Sequence, residues 1–579
     1  MVIDQGNPLI VQSDRTLLLD VHAERAEEAR AAILPFAELE KSPEHIHTYH
    51  ITPISLWNAA SAGFSPIDVV RVLNEYTRYP IPQSITGSFE DTMSRYGKIR
   101  LISPNKGEMA DELLLTASEE AVMAEIGAVK PLEKYLEKTA LGFRLKLIHR
   151  GSVKRELIRM GWPVQDEAPF VQGEDLELKI RETCASGRPF NIRDYQFEAA
   201  RAVLGTGGPG TGYGVVVLPC GSGKTIVGML IMSLLKTNTL ILSTNVAAVH
   251  QWMEELLDKT DLKPEDIAEY TGDSKSVAPV TVATYQIITW RPAKEADFPH
   301  FKLFRERSWG LIIYDEVHLL PAPVFRVTAE LQAVRRLGLT ATLVREDNAE
   351  DAVFSLVGPK RYDVPWKDLE NKGWIAGAFC IEIRIDLPEK LKIPYAVASH
   401  REKYRLASEN CLKNEAVLQL IENHREDQIL VIGQYISQLE NLARLLSVPI
   451  ITGKTPNSER ERIYGAFKKG EVRIIVVSKV ANFAIDLPDA SMAIQVSGSF
   501  GSRQEEAQRL GRILRPKDRN SWFYTLVSRY TVEEDFAANR QQFLAEQGYK
   551  YSIQHWTAEE IRVGQDLLTD EISDRVVIT

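Results

Sequence analysis

Apolar and polar positions along this 579-residue chain change period several times, and the changes mark where elements begin and end. Val215-Val216-Val217 is a β-branched run without polar interruption, the pattern of a strand buried on both faces. It leads through Leu218-Pro219-Cys220-Gly221-Ser222-Gly223 to Lys224-Thr225 and the apolar stretch Ile226-Val227-Gly228-Met229-Leu230, a helix start. Downstream, β-like runs alternate with helix-like ones at Leu240–Leu242, Val280–Ala283 and Leu311–Tyr314. A second series opens near Gln428, with Ile429–Ile432, Ile474–Val477 and Ala493–Val496. Such alternation predicts parallel strands with helical crossovers. The predicted class is α/β, with two parallel-sheet domains in tandem and Pro359 to Asn414 between the two series.

Residues 1–125 predict an α+β accessory region. Pro8–Val11 and Thr16–Leu19 read as short strands around a Ser13-Asp14 turn. Helices are expected over Ala23–Ala37, Ser55–Ala62 and Pro66–Tyr79, the last stopped by Pro80. His45, His47 and His50 invite a metal reading, but their spacing also fits a strand entering a helix, and no Cys lies nearby. Tyr96–Leu101 resembles another strand. Phe143–Arg150 alternates apolar and basic residues, so a strand there sets Arg144, Lys146 and Arg150 on one face, turned to DNA or to solvent. Gly205, Gly207 and Gly210 match GxGxxG, but they precede a strand and Pro209 interrupts them, which predicts a loop rather than a dinucleotide site.

Composition narrows the class. The length suits three or four domains, and 44% apolar with 26% charged residues is ordinary for a globular protein. No apolar run approaches the ~18 residues of a membrane span. The first residues, MVIDQGNPLI, lack the basic start and apolar core of a signal peptide, so a cytoplasmic protein without a membrane partner is expected. Cys184, Cys220, Cys380 and Cys411 are widely spaced and form no CxxC pair, which predicts reduced thiols. A net charge of −10 gives no general attraction to nucleic acid, so any DNA contact requires basic groups gathered locally.

The chemistry lies between the strands. Gly221 and Gly223 can take backbone angles that turn successive N–H groups toward phosphate oxygens. The helix that follows adds its unpaired N–H groups and the positive end of its dipole. Lys224 is placed to reach β- and γ-phosphates and the Thr225 hydroxyl to hold Mg²⁺. Leu218 stands where a strict GxxxxGKT loop has its first glycine. Asp315-Glu316-Val317-His318 follows the run WGLIIY, putting adjacent carboxylates at a strand's C-terminal end. Asp315 suits Mg²⁺ held through water, Glu316 suits orienting and deprotonating the attacking water, and His318 suits sensing the γ-phosphate. Thr340 and Thr342 cap the next expected strand as hydroxyl relays. Gln508, Arg512 and Arg515 fall near one helical face, with guanidinium forks suited to phosphate oxygens. Thr452-Gly453-Lys454-Thr455 is a second GKT, but Pro456 argues against a clean helix start, so a loop near a nucleic-acid backbone is expected.

The set LPCGSGKT, DEVHLLPA, GLTATLVRED, SKVANFAIDLPDA and SRQEEAQRLGRILRP resembles the superfamily 2 helicases and, within them, the XPB family. HIHTY, TPISL and Tyr96–Leu101 are similar to that family's amino-terminal domain, and FYTLVSRYTVEEDFAANRQQFLAEQGYKY to its carboxyl-terminal stretch, as in a stand-alone prokaryotic member. The resemblance implies two RecA-like motor domains, 186–365 and 366–579, behind an accessory domain at 1–125 and a small damage-recognition-like domain at 126–185. It implies that Arg193 and Gln196 border the adenine and that Asp486 lies near the ribose or the interdomain hydrogen bonds. It places Thr244, Gln251 and Thr284 on the DNA path in the first motor domain and Gln434, Thr452 and Ser478 in the second, reading backbone rather than sequence. Arg345-Glu346-Asp347 resembles a motif tied to strand separation. Leu387 to Asn410 is short beside the thumb-like insertion of archaeal members.

These implications give an ATP- and Mg²⁺-dependent 3′ to 5′ DNA helicase, a monomer working in nucleotide excision repair with a nuclease partner. A double-strand translocase with little unwinding uses the same motifs. An ATP-dependent clamp that positions a nuclease, or an RNA helicase, are the readings from other classes.

Overall fold

The computed structural model describes residues 6–563 apart from 34, 42–44, 105–111, 147–148, 168–172, 206–211, 220, 294–295, 297, 320–334, 342–352, 355, 365, 479–489, 499–505, 507–508, 512, 514–519, 547 and 550. Two compact units divide the chain, the first comprising most of Met1–Val364 and the second centred on Pro365–Thr579.

The first unit begins with a four-stranded sheet, ordered β1-β2-β4-β3, from β1 (Leu9–Val11), β2 (Thr16–Asp20), β3 (Glu38–Lys41) and β4 (Ile46–His50). His47 and His50 thus lie in a strand that runs on to the helix Pro53–Ser61. Reciprocal hydrogen bonds between Thr52 and Ser55 start that helix, and Ser65 with Asp68 does the same for Pro66–Tyr76.

A five-stranded sheet follows, ordered β7-β8-β6-β5-β9, from β5 (Ile99–Ile102), β6 (Glu112–Ala117), β7 (Glu137–Thr139), β8 (Gly142–Lys146) and β9 (Val164–Asp166). The boundary drawn at residue 125 from the sequence falls inside this sheet. Arg144 and Lys146 stand on the exposed face of β8, but Arg150 does not join them. It opens the helix Arg150–Arg159 and is fully buried, its guanidinium paired through Nε and Nη2 with Asp166. Lys154, one turn on, reaches the same carboxylate at 3.0 Å. The basic alternation therefore ends at β8, and the last basic residue is spent on an interior ion pair.

The large sheet of the first unit has seven parallel strands, ordered β12-β13-β11-β14-β15-β10-β16. They are β10 (Gly214–Val217), β11 (Thr239–Ser243), β12 (Ile267–Tyr270), β13 (Val280–Thr284), β14 (Leu311–Asp315), β15 (Arg335–Thr340) and β16 (Lys360–Asp363). Every residue of β10, β11 and β13 is buried, as a sheet with both faces covered requires. Parallel pairing brings Leu218, Thr244, Asp315 and Thr340 to one edge of the sheet.

The second unit repeats the plan with the order β19-β20-β18-β21-β22-β17-β23, again parallel. Its strands are β17 (Ala378–Ile385), β18 (Ile429–Gly433), β19 (Ile450–Ile451), β20 (Ile474–Ser478), β21 (Met492–Gln495), β22 (Ser521–Ser528) and β23 (Tyr551–Trp556). Two helices, Glu389–Val397 and His400–Ser408, occupy the stretch between Leu387 and Asn410. Under the sheet, Lys413 Nζ sits 2.8 Å from both oxygens of Glu533, all fully buried.

Candidate functional site

Leu218 follows the last residue of β10, and its N–H donates to the Thr340 carbonyl at 2.9 Å. The loop closes on Gly223 at φ 82°, the N-cap position of the helix Lys224–Leu235. A Cβ there would lie 2.6 Å from Gln196 Nε2, so glycine is needed for both the angle and the close approach. Gly221 also takes a left-handed angle, φ 78°. Among the described residues no side chain caps the helix, whose N-terminal N–H groups and dipole favour an anion. Ser222 donates its hydroxyl to the Pro219 carbonyl at 2.7 Å, and Cys220 lies outside the described residues. Thr225 is half-buried in the first helical turn. Gln196 is buried, and its Oε1 accepts the Arg193 N–H at 2.9 Å.

Strand β14 delivers the carboxylates. Burial and then the charge of Glu316 push the Asp315 carboxyl up to about 6, against hydrogen bonds from Trp252 and Ser243 and the nearby Lys224. A divalent cation would relieve that strain by favouring the charged form. Glu316 holds φ 48°, a left-handed backbone rare outside glycine. Its Oε1 lies 3.7 Å from Lys224 Nζ, and its buried Oε2 has no hydrogen-bond partner among the described residues. His318 Nδ1 is 2.6 Å from Thr340 Oγ1 and 3.5 Å from Glu316 Oε2, so a polar chain joins the ends of β14 and β15.

Of the residues assigned to a DNA path in the first unit, Thr244 follows β11 and Thr284 ends β13, whereas Gln251 lies in the helix Val246–Lys259. Thr244 and Gln251 are half-buried, whereas Thr284 is buried and its hydroxyl accepts the Ile287 N–H at 3.2 Å. In the second unit Gln434, Thr452 and Ser478 terminate the adjacent strands β18, β19 and β20. The Ser478 hydroxyl is buried without a partner among the described residues. The second GKT does precede a helix, Asn457–Lys468, contrary to the expectation from Pro456. Pro456 is the N-cap, just outside that helix, so its missing N–H removes no helical hydrogen bond. Thr342, Arg345, Glu346, Asp347, Asp486, Gln508, Arg512 and Arg515 lie outside the described residues.

Three residues with no role in the sequence reading touch Asp315. Ser243 Oγ and Trp252 Nε1 each donate to Oδ2 at 3.0 Å, and the Tyr285 hydroxyl donates to the main-chain carbonyl at 2.9 Å. The only sequence signal was that each adjoins a residue already singled out.

A model of the ERCC3/RAD25/XPB C-terminal helicase family matches residues 369–577. A model described as the helicase conserved C-terminal domain matches residues 9–139, and one for the type III restriction enzyme res subunit matches 189–345. The chain is 51% identical over 555 residues to the "DNA 3′-5′ helicase XPB" of Kineococcus radiotolerans, covering 94% of this chain and 96% of the relative. The protein of the same description from Mycobacterium tuberculosis is 49% identical, covering 94% and 97%. The Saccharomyces cerevisiae "General transcription and DNA repair factor IIH helicase/translocase subunit XPB/SSL2" is 31% identical over 610 residues, covering 94% and 71%. With half of its residues shared with bacterial relatives over nearly their whole length, the chain belongs to the XPB family of helicases.

Proposed function

We propose that this protein is an ATP-dependent DNA helicase that moves 3′ to 5′. The observation that carries the reading is the meeting of Lys224 with Asp315 and Glu316 at one sheet edge, beside a glycine-lined helix start. Substrate and polarity follow the relatives described as DNA 3′-5′ helicases.

The residues fit a nucleoside triphosphate with Mg²⁺. The loop Leu218-Pro219-Cys220-Gly221-Ser222-Gly223 wraps the phosphates, the main-chain N–H groups coming from its glycine-rich end and the helix start, and Lys224 binds the terminal ones. Thr225 and Asp315 would hold Mg²⁺, which would supply positive charge against the phosphates. Glu316 orients the attacking water and takes its proton, its carboxylate fixed by the Lys224 contact and the left-handed backbone. His318 and Thr340, with Thr342, relay the state of the γ-phosphate. Arg193 and Gln196 border the base, Asp486 the ribose, and Gln508, Arg512 and Arg515 supply charge to the transition state. Thr244, Gln251, Thr284, Gln434, Thr452 and Ser478 track the DNA backbone, and the Arg345-Glu346-Asp347 motif parts the strands.

The domain plan proposed is an accessory region, a small sheet domain and two RecA-like motors, the first ending near 365. Excision repair in the cytoplasm as a monomer, with a nuclease partner, is the setting proposed. The test is ATP hydrolysis with and without single-stranded DNA. Hydrolysis that DNA raises and that Lys224→Ala loses supports the reading, and hydrolysis indifferent to both overturns it.

A further inference from the structure

Asp315 is gripped from three directions, and the three donors share a pattern. Ser243 precedes Thr244, Trp252 follows Gln251, and Tyr285 follows Thr284. Each residue proposed for the DNA path in the first motor domain is thus bonded in the chain to one that is hydrogen-bonded to Asp315.

The grip is built rather than incidental. Trp252 is 3% exposed, and an indole N–H can only donate, so burying it requires an acceptor, which Asp315 Oδ2 supplies. The ring packs so closely on the helix that leaves the phosphate loop that a Cβ at Gly228 would lie 2.8 Å from Trp252 Cη2. Ser243 ends β11 in register with Thr284 at the end of β13, and β14 pairs on the other side of β11. The Gln286 amide donates to the Thr244 carbonyl, tying two of the three segments together. With Oδ2 taken by two donors, the carboxylate plane is fixed and Oδ1 is the oxygen left to hold a metal-bound water.

We propose that Ser243, Trp252 and Tyr285 are positioning residues through which DNA seated on the segments of Thr244, Gln251 and Thr284 sets the orientation of the Asp315 carboxylate, coupling DNA occupancy to ATP turnover within one motor domain. This rests on the reading of the chain as a DNA-dependent ATPase. A phosphate backbone that shifts any of the three segments shifts a donor, and a carboxylate held off its productive angle slows turnover without weakening DNA binding.

The experiment uses the full chain with Trp252→Phe, which keeps an aromatic ring and loses the donor, and Tyr285→Phe, which loses a single oxygen. Three quantities are measured: affinity for a labelled single-stranded oligonucleotide, ATP turnover without DNA, and turnover at saturating DNA. For Trp252→Phe, turnover at saturating DNA falls about tenfold, the loss of one hydrogen bond to a charged group. The DNA-free rate falls less, and DNA affinity stays within about twofold, as expected when binding and turnover are separable. Tyr285→Phe shifts the activation ratio in the same direction by a smaller factor. Equal losses with and without DNA would make the three residues a mere prop of Asp315, and so would an unchanged ratio in both variants. Weaker binding with full turnover at saturation would place them on the DNA surface instead. A wild-type chain that DNA does not stimulate overturns the functional reading itself, a result distinct from stimulated wild type with indifferent variants.

Discussion

Lys224 Nζ lies 3.7 Å from Glu316 Oε1, linking the loop after β10 to the end of β14 across the intervening strand β15. Glu316 makes this contact from a left-handed backbone that costs a non-glycine residue about 1–2 kcal/mol. Such strain persists where the surrounding structure holds it for a purpose. Replacing either partner should therefore strike turnover rather than folding. Lys224→Ala and Glu316→Gln are expected to lower ATP turnover by ~10²–10⁴-fold. Circular dichroism and the melting temperature should stay near wild type. Near-normal turnover with DNA present would contradict the assignment.

A second prediction concerns the buried ion cluster beneath the five-stranded sheet. Asp166 is 1% exposed and pairs with both Arg150 and Lys154. Burial alone would raise its pKa, but Arg150 and Lys154 hold it well below the usual carboxylate range. Asp166→Asn strands two buried cations and should cost about 3–5 kcal/mol. Chemical denaturation checks it, and a loss under about 1 kcal/mol would contradict the account.

The same cluster predicts a pH dependence. Burial, opposed by Asp166 and helped by Arg336, pushes the Lys154 ammonium from 10.5 down to about 8. Between those values the unfolded chain binds a proton that the folded one does not, so stability rises with pH there. Relative to Lys154→Met, the wild type should gain up to about 1.4 kcal/mol per pH unit between pH 8 and 10. Below pH 8 the difference should level off. A difference that is flat across that window, or falls, would contradict it.

Arg345→Ala is expected to reduce unwinding about tenfold more than ATP turnover, as for a residue that parts strands without touching nucleotide. Parallel losses of both activities would move Arg345 to the nucleotide cycle.

The two parallel sheets, and the meeting of Lys224 with Asp315 and Glu316 at one sheet edge, could be read from the chain because their signals are local. An apolar run, a glycine turn and a charged pair at a strand end each carry their meaning within ten residues or so. Arg150 was misplaced because FRLKLIHR has a period of two up to Lys146, whereas its fate is set by Asp166, sixteen residues on. Pro456 misled for the opposite reason, a rule for helix interiors applied to an N-cap residue, where it lapses. Trp252 could not be singled out at all. Its neighbour Gln251 carries the polar signal, and the bond to Asp315 spans 63 residues of chain.

The most direct test of the central claim is strand displacement on duplexes tailed at the 3′ or the 5′ end, with ATP and Mg²⁺, alongside ATP turnover on each. The account predicts DNA-stimulated turnover, opening of the 3′-tailed duplex alone, and loss of that opening in Glu316→Gln. Opening from the 5′ tail would contradict the polarity, and stimulated turnover with neither duplex opened would make the protein a translocase instead of a helicase.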